Sequence, residues 1–368
     1  MSIIIPHFQS VPFPAPLWLL KTLLVVGFIT HVIPMNVALG GSFWSGISLL
    51  RGKGNPNSNH TRIGHELAMA LPFFVSFAIT QGIVPLLFLQ LIYGPLYYTS
   101  SIMMGTTWIL LLVILLTGYY ALYIYKYKHP QLGKGAGLLL LAVSLLFGFV
   151  GFLFTNNMTL MLQPETWQHV VSHGTGNFLN WEEPSVLPRY LHFVLSAIAV
   201  TGLCIGCFGL AKKSKDEVYA NWLIRHGSGL FLIITLIQIA VGGWFWMILS
   251  KIVTHAYMGG DILGTVSFVG SILLSVLALV SNAISWKNGQ ATPFKIGLVS
   301  GVGVVALMSV MRHVLREMTV QNFFHPEIVP VKTQWDLLIV FIISAVGLIA
   351  YLTWLTKTIW GSYQNQEA

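Results

Sequence analysis

Long apolar runs, one after another, constrain this chain more than any other feature. One run contains His31 and reaches Leu50, and the rest cover about 65–92, 96–125, 135–156, 187–211, 220–249, 257–284, 293–313 and 335–356. Each is near or above the ~20 apolar residues that a helix needs to cross a bilayer. Hydrocarbon offers no hydrogen bonds to exposed backbone groups, so each run must satisfy its own as a helix. The expected fold is therefore an all-α, polytopic membrane helix bundle with about nine transmembrane helices, forming one domain over residues 1–368. Composition agrees. The chain is 55% hydrophobic and 8% charged, with a mean hydropathy of +0.76, whereas a soluble domain carries roughly 25% charged residues. Pro14 and Pro16 punctuate the N-terminal segment, and a short interfacial helix held by Trp18 and Lys21 is expected after them. That segment lacks a basic stretch and a small-residue cleavage site, so it is expected to be retained. No internal repeat or low-complexity segment stands out.

The formal charge of +8 raises the question of nucleic acid, but the Lys and Arg residues fall between the apolar runs rather than in one patch. They read as topology determinants. With the N-terminus outside, thirteen lie inside: Arg51, Lys53, Arg62, Lys126, Lys128, Lys134, Lys212, Lys213, Lys215, Arg225, Lys287, Lys295 and Lys357. Six lie outside: Lys21, Arg189, Lys251, Arg312, Arg316 and Lys332. The expected placement is thus multi-pass in the cytoplasmic (inner) membrane, N-terminus outside, with lipid as the surroundings and no nucleic-acid partner. The outer loop Asn156–Pro188 holds Trp167, His169, His173, Trp181, Glu182 and Glu183, which would suit a docking surface, a quinone mouth or an ordinary interfacial loop.

Twelve histidines stand against eleven carboxylates, an unusual ratio for so apolar a chain. Leu187–Lys212, LPRYLHFVLSAIAVTGLCIGCFGLAK, spans the bilayer yet carries His192 about one turn inside its entry end. An ionisable group in lipid needs a partner and marks a functional site by default. His31 and His313 sit in other runs, in or near the same outer half. His60, His65, His129 and His226 fall at the inner side, and His7, His169, His173, His255 and His325 in outer loops or at their edges. Three isolated imidazoles at one depth would each cost several kcal/mol if unsatisfied. Haem b would answer that cost: neutral imidazole ligates iron, and the macrocycle fills space between facing helices. Arg189 precedes His192 by three residues and Arg312 and Arg316 flank His313, so these arginines are candidates to meet haem propionates, with headgroup snorkelling as the alternative. Cys204 and Cys207 read as packing residues, and no C-x-x-C-H for covalent haem occurs.

Three segments carry a resemblance. HVIPMNVALGG from His31, FTNNMTLMLQP at 154–164 and RYLHFVLSAIAVTG from Arg189 resemble, in order, segments of the large haem-bearing subunit of cytochrome bd quinol oxidases. That resemblance implies two or more haems b, a quinone or quinol, and a place in a respiratory chain. It sets His31 as ligand of a high-spin haem and His192 as ligand of a low-spin haem b. Met258, in AYMGGDILG, falls at the second ligand of that haem, with His255 one turn earlier as a competitor. At RHVLR, His313 and Arg316 stand where the family has a glutamate ligand and, three residues on, an arginine. The chain departs from the family in two ways: 96–125 contains no Asp or Glu, and only about Leu249–Tyr257 replaces the large quinol-binding loop. The expected function is electron transfer between the quinone pool and an outer partner such as a periplasmic c-type cytochrome, without oxygen reduction. The alternatives are an oxygen-reducing terminal oxidase and a haem-free transporter.

Overall fold

The computed structural model describes residue 5 and residues 11–168 and 176–365, with the side chains of 348, 349, 352 and 355–365 left aside. His7, His169 and His173 lie outside the described residues. Among the described residues there are nine long helices: α1 Leu17–Arg51, α2 Asn59–Met103, α3 Gly105–Leu132, α4 Gly135–Leu160, α5 Val186–Lys212, α6 Glu217–Ile248, α7 Ile262–Asn288, α8 Ala291–Val320 and α9 Trp335–Asn365. Among the described residues, α1 to α8 are long and apolar enough to cross a membrane, while the apolar part described in α9, Trp335–Gly347, is shorter than a span. The all-α membrane bundle is therefore the observed architecture.

The boundaries differ from the sequence reading in four places. Among the described residues no separate interfacial helix precedes the first span. Trp18 and Lys21 belong to α1 itself, and Lys21 pairs with Glu317 of α8 instead of serving as a surface anchor. The break expected at 93–95 is a kink within α2. Pro95 removes a backbone donor and crowds the carbonyl four residues back, so Tyr93 leaves helical geometry (φ −115°, ψ 28°) and the helix resumes to Met103. The span expected from 257 starts at Ile262, because Ala256–Gly260 winds into a π turn with Gly259 at φ 118°. Asp261 then caps α7, its carboxylate accepting from the Gly264 N–H at 2.6 Å. Finally, α8 runs to Val320, well past the expected end at 313, which places Arg312 and Arg316 inside a helix rather than at its mouth.

Small residues let the helices approach closely, as they do in membranes, where packing rather than water drives association. A Cβ on Gly40 of α1 would lie 2.2 Å from the Ala197 carbonyl oxygen of α5, so these two backbones touch. One end of the bundle is closed by a buried cluster that includes Phe13, Tyr93, Met104, Trp167, Val253 and Val320. There Phe13 pairs with the 330–332 strand-like segment, its N–H donating to the Pro330 carbonyl at 2.9 Å. At the opposite end Arg62 pairs with Asp216 at 2.8 Å and Lys212 with Glu66 at 3.1 Å. Cys204 and Cys207 are free thiols packed in separate apolar clusters along α5.

Candidate functional site

A cavity of about 490 Å³ opens among α1, α2, α3, α4, α5 and α8, toward the end where the chain begins. Its volume falls within the ~300–1,000 Å³ of cofactor pockets. Its walls are apolar side chains such as Phe28, Leu86, Leu111 and Phe154, and its polar lining includes His31, Arg189, Arg312, His313 and Arg316. The sequence placed His31 and His313 at one depth together with His192, and set the arginines beside them; the structure brings His31, His313 and the three arginines to one space and leaves His192 outside it.

His31 is held as a metal-ligating histidine is held. Its Nδ1 lies 2.8 Å from the Ala78 carbonyl oxygen. A carbonyl only accepts, so the neutral ring carries its proton on Nδ1 and leaves Nε2 as a free base. One turn along α2, Gly82 gives the ring its room, since a Cβ there would lie 2.8 Å from His31 Nδ1 and Cε1. His313 lines the same cavity with its Nδ1 buried and unpartnered.

The three arginines carry uncompensated charge. Among the described residues no ion pair joins any of them to a carboxylate. Their guanidiniums instead sit over rings: Arg189 over Phe245 at 5.1 Å, Arg312 over Phe28 at 4.5 Å and Phe193 at 5.4 Å, and Arg316 over Tyr93 at 5.2 Å. Arg189 Nε and Arg316 Nη1 are buried without a partner, and Arg316 is only 8% exposed. The acids beside them are already engaged, Glu317 by Lys21 and the Tyr93 hydroxyl, and Glu183, which acts on Arg189, by the Gln163 amide and the Ser185 N–H. Buried cations that lack anions call for an anionic ligand. Glu317 and Tyr93 escaped the sequence reading because Glu317 follows Arg316 in a segment taken for a loop.

His192 turns away from this cavity and toward α6. Its Nε2 lies 3.2 Å from the Gln238 amide nitrogen, and its Nδ1 is buried and unpartnered. A donor amide opposite Nε2 leaves the proton on Nδ1. Gln238 is the third residue that sequence reasoning missed, although a lone amide inside the apolar run 228–249 was a visible signal. Gly242 lies beside the ring, 3.6 Å from His192 Cε1 at a built Cβ, so α6 offers little bulk there.

Met258 and His255 are not brought against His192. Met258 is 71% exposed on the π turn, and His255 packs near Gly260 in the same turn. The FTNNMTLMLQP segment holds the fold. Asn156 Oδ1 accepts from the Asn180 N–H at 2.9 Å, Asn157 Nδ2 donates to Ser101 at 3.2 Å, and Asn180 donates to Gln163 at 2.8 Å. Trp167 is buried, its indole N–H donating to the Leu160 carbonyl at 3.0 Å, so it forms no part of a docking surface.

At the opposite end, His65 packs against His129 with ring centroids 4.4 Å apart and meets the Tyr125 hydroxyl at 3.1 Å. No group of three or more His, Cys, Asp or Glu placed to hold a bare metal ion occurs among the described residues. Haem needs fewer protein ligands, because its macrocycle supplies four nitrogens. No family model matches the chain, and no curated protein matches it.

Proposed function

We propose that this chain is a membrane cytochrome b, related to the large subunit of the bd quinol oxidases, that moves electrons between the quinone pool and a redox partner outside the membrane. The observation that carries the reading is the cavity of about 490 Å³ in which His31 presents a free Nε2 while three arginines lack carboxylate partners. Haem b matches both demands, with one iron for the imidazole and two propionates for the guanidiniums. His31 would hold the iron, with His313 on the same cavity as a second imidazole, and Arg189, Arg312 and Arg316 would take the propionates. By the resemblance His192 would hold a further haem; its Nε2 accepts from the Gln238 amide and its Nδ1 keeps the proton, so that role requires Gln238 to release the ring.

When bound, the haem supplies one-electron transfer. The protein's part is to fix and tune it. The Ala78 carbonyl orients His31 and raises its basicity. Three cations favour the reduced, more negative state of the site, and the apolar wall keeps water out. The N-terminal end faces outward by the thirteen-to-six distribution of Lys and Arg, so the cavity lies within reach of a periplasmic c-type cytochrome in the cytoplasmic membrane. Oxygen reduction is not part of the proposal. The acid-free helix α3 offers no carboxylate to deliver protons from the inner side, and Glu317 sits at the outer end, paired with Lys21 and accepting from the Tyr93 hydroxyl.

The test is a dithionite-reduced-minus-oxidised spectrum of the purified chain with pyridine haemochrome quantification. Haem b at one or more equivalents supports the reading, and a colourless protein after expression with adequate haem points to a transporter. Sustained cyanide-sensitive oxygen uptake with a reduced quinol would restore the oxidase.

A further inference from the structure

A second pocket lies at the opposite end of the bundle, with a volume of about 590 Å³ between α6 and α7, lined by Val218, Asn221, Trp222, Arg225, His226 and Trp286. We propose that it binds the head group of a quinone, a flat ring with two carbonyl acceptors and an apolar tail lying in the bilayer. The inference rests on the reading above for its ligand, and names a site for it.

Two of the pocket's N–H donors have their positions set by hydrogen bonds. The Trp44 indole N–H, which can only donate, meets His226 Nε2 at 3.1 Å. The neutral His226 ring therefore carries its proton on Nδ1, and no described residue accepts it. Arg225 is tied by its Nε–H to the Trp286 carbonyl at 3.1 Å, which sets the rest of its N–H fork beside the pocket. Asn221 adds a side-chain amide one turn away. No carboxylate lines the space.

Its walls are aromatic and seated against backbone. Trp222 stacks on His226 at 4.6 Å with planes 9° apart, and His60 meets both rings edge-on, at 5.2 Å and 5.4 Å. His60 Nδ1 is buried and unpartnered beside them. The Trp286 indole rests on Gly229, where a Cβ would lie 2.8 Å from Nε1. Gly289, at φ 68°, ends α7 and lets Arg225 and Asn221 close over it.

Flat walls with N–H donors at the membrane interface suit a planar carbonyl acceptor. A phospholipid phosphate would instead select several cations, and Arg225 is the one cation lining the pocket among the described residues. His226 and Gln238 are twelve residues apart on α6, about 18 Å along the axis at 1.5 Å per residue. The pocket is thus separate from the His192 groove.

The experiment titrates a decyl-substituted benzoquinone into the full-length chain in phosphatidylcholine nanodiscs and follows tryptophan fluorescence. Saturable quenching is expected, with smaller amplitude in Trp222→Phe and Trp286→Phe. His226→Phe keeps the ring stack and loses the donor, so half-saturation should rise about tenfold, the scale of one hydrogen bond. Asn221→Leu, at the pocket edge, should raise it several-fold and covers the case in which His226→Phe fails to fold. Quenching that stays linear with quinone, or that is unchanged in all four variants, overturns the proposal. So does loss of saturable quenching when phosphatidylglycerol replaces phosphatidylcholine, which would make the pocket a lipid-headgroup site. The haem spectrum of the same samples separates the two readings. Saturable quenching without haem refutes the cytochrome alone, and haem without saturable quenching refutes the pocket alone.

Discussion

Replacing Gly82 by Ala tests the cavity through a residue that touches no ligand of its own. The added methyl would sit 2.8 Å from His31 Nδ1 and Cε1, whereas non-bonded carbon contacts settle near 3.5–4.0 Å. The imidazole must therefore move by about 0.7 Å or more, away from the Ala78 carbonyl that it meets at 2.8 Å. Losing such an orienting partner costs a metal site about 10–100-fold in affinity, or about 1.4–2.7 kcal/mol. Helix propensity works the other way, since Ala is favoured over Gly by about 0.8–1.0 kcal/mol inside a helix. The variant should therefore melt near the parent temperature while binding haem less tightly. The assay is haem titration of the apoprotein in detergent, with the spin state read by electron paramagnetic resonance. Gly243→Ala is the control, because a Cβ there meets nothing within 4 Å, and it should bind as the parent does. Equal haem affinity and an unchanged spectrum in Gly82→Ala would refute the assignment of His31.

Gly40→Ala places a methyl 2.2 Å from the Ala197 carbonyl oxygen, a backbone atom that cannot rotate aside; it should destabilise the α1–α5 contact by about 3 kcal/mol, read as a lower melting temperature, and an unchanged melt would refute the close packing. Asp216→Asn keeps the cap on α6, because Asn caps as well as Asp, and removes the ion pair with Arg62. The Arg62 hydrogen bond, with that from the Tyr219 N–H, holds the Asp216 carboxyl below the usual carboxylate range. A lowered folded value stabilises above the unfolded pKa of about 3.9 and is lost as pH falls through the folded one. The variant should melt below the parent at neutral pH and converge with it below about pH 4, and a pH-independent gap would refute the ion pair.

Apolar run length alone determined that this chain is a bundle of membrane helices, because backbone groups in hydrocarbon have one local solution. The same reasoning marked His31, His192 and His313, since an imidazole is conspicuous in a run of Leu and Val. Three features were not legible. The kink at Tyr93 and the π turn at Ala256–Gly260 depend on how Pro95, Gly259 and Asp261 settle against neighbouring helices, which hydropathy does not encode. The partners of the histidines come from other helices. The Ala78 carbonyl is a backbone atom with no residue signature, and Gln238 becomes a partner only because α6 lies along α5. Above all, the sequence showed arginines near histidines but not their charge balance. Tertiary packing decided that Glu317 would be spent on Lys21 and Tyr93, leaving Arg189, Arg312 and Arg316 facing one cavity with no ion pair among the described residues. Coulomb interactions in a low-dielectric interior depend on distances in space, and those exist only once the helices have packed.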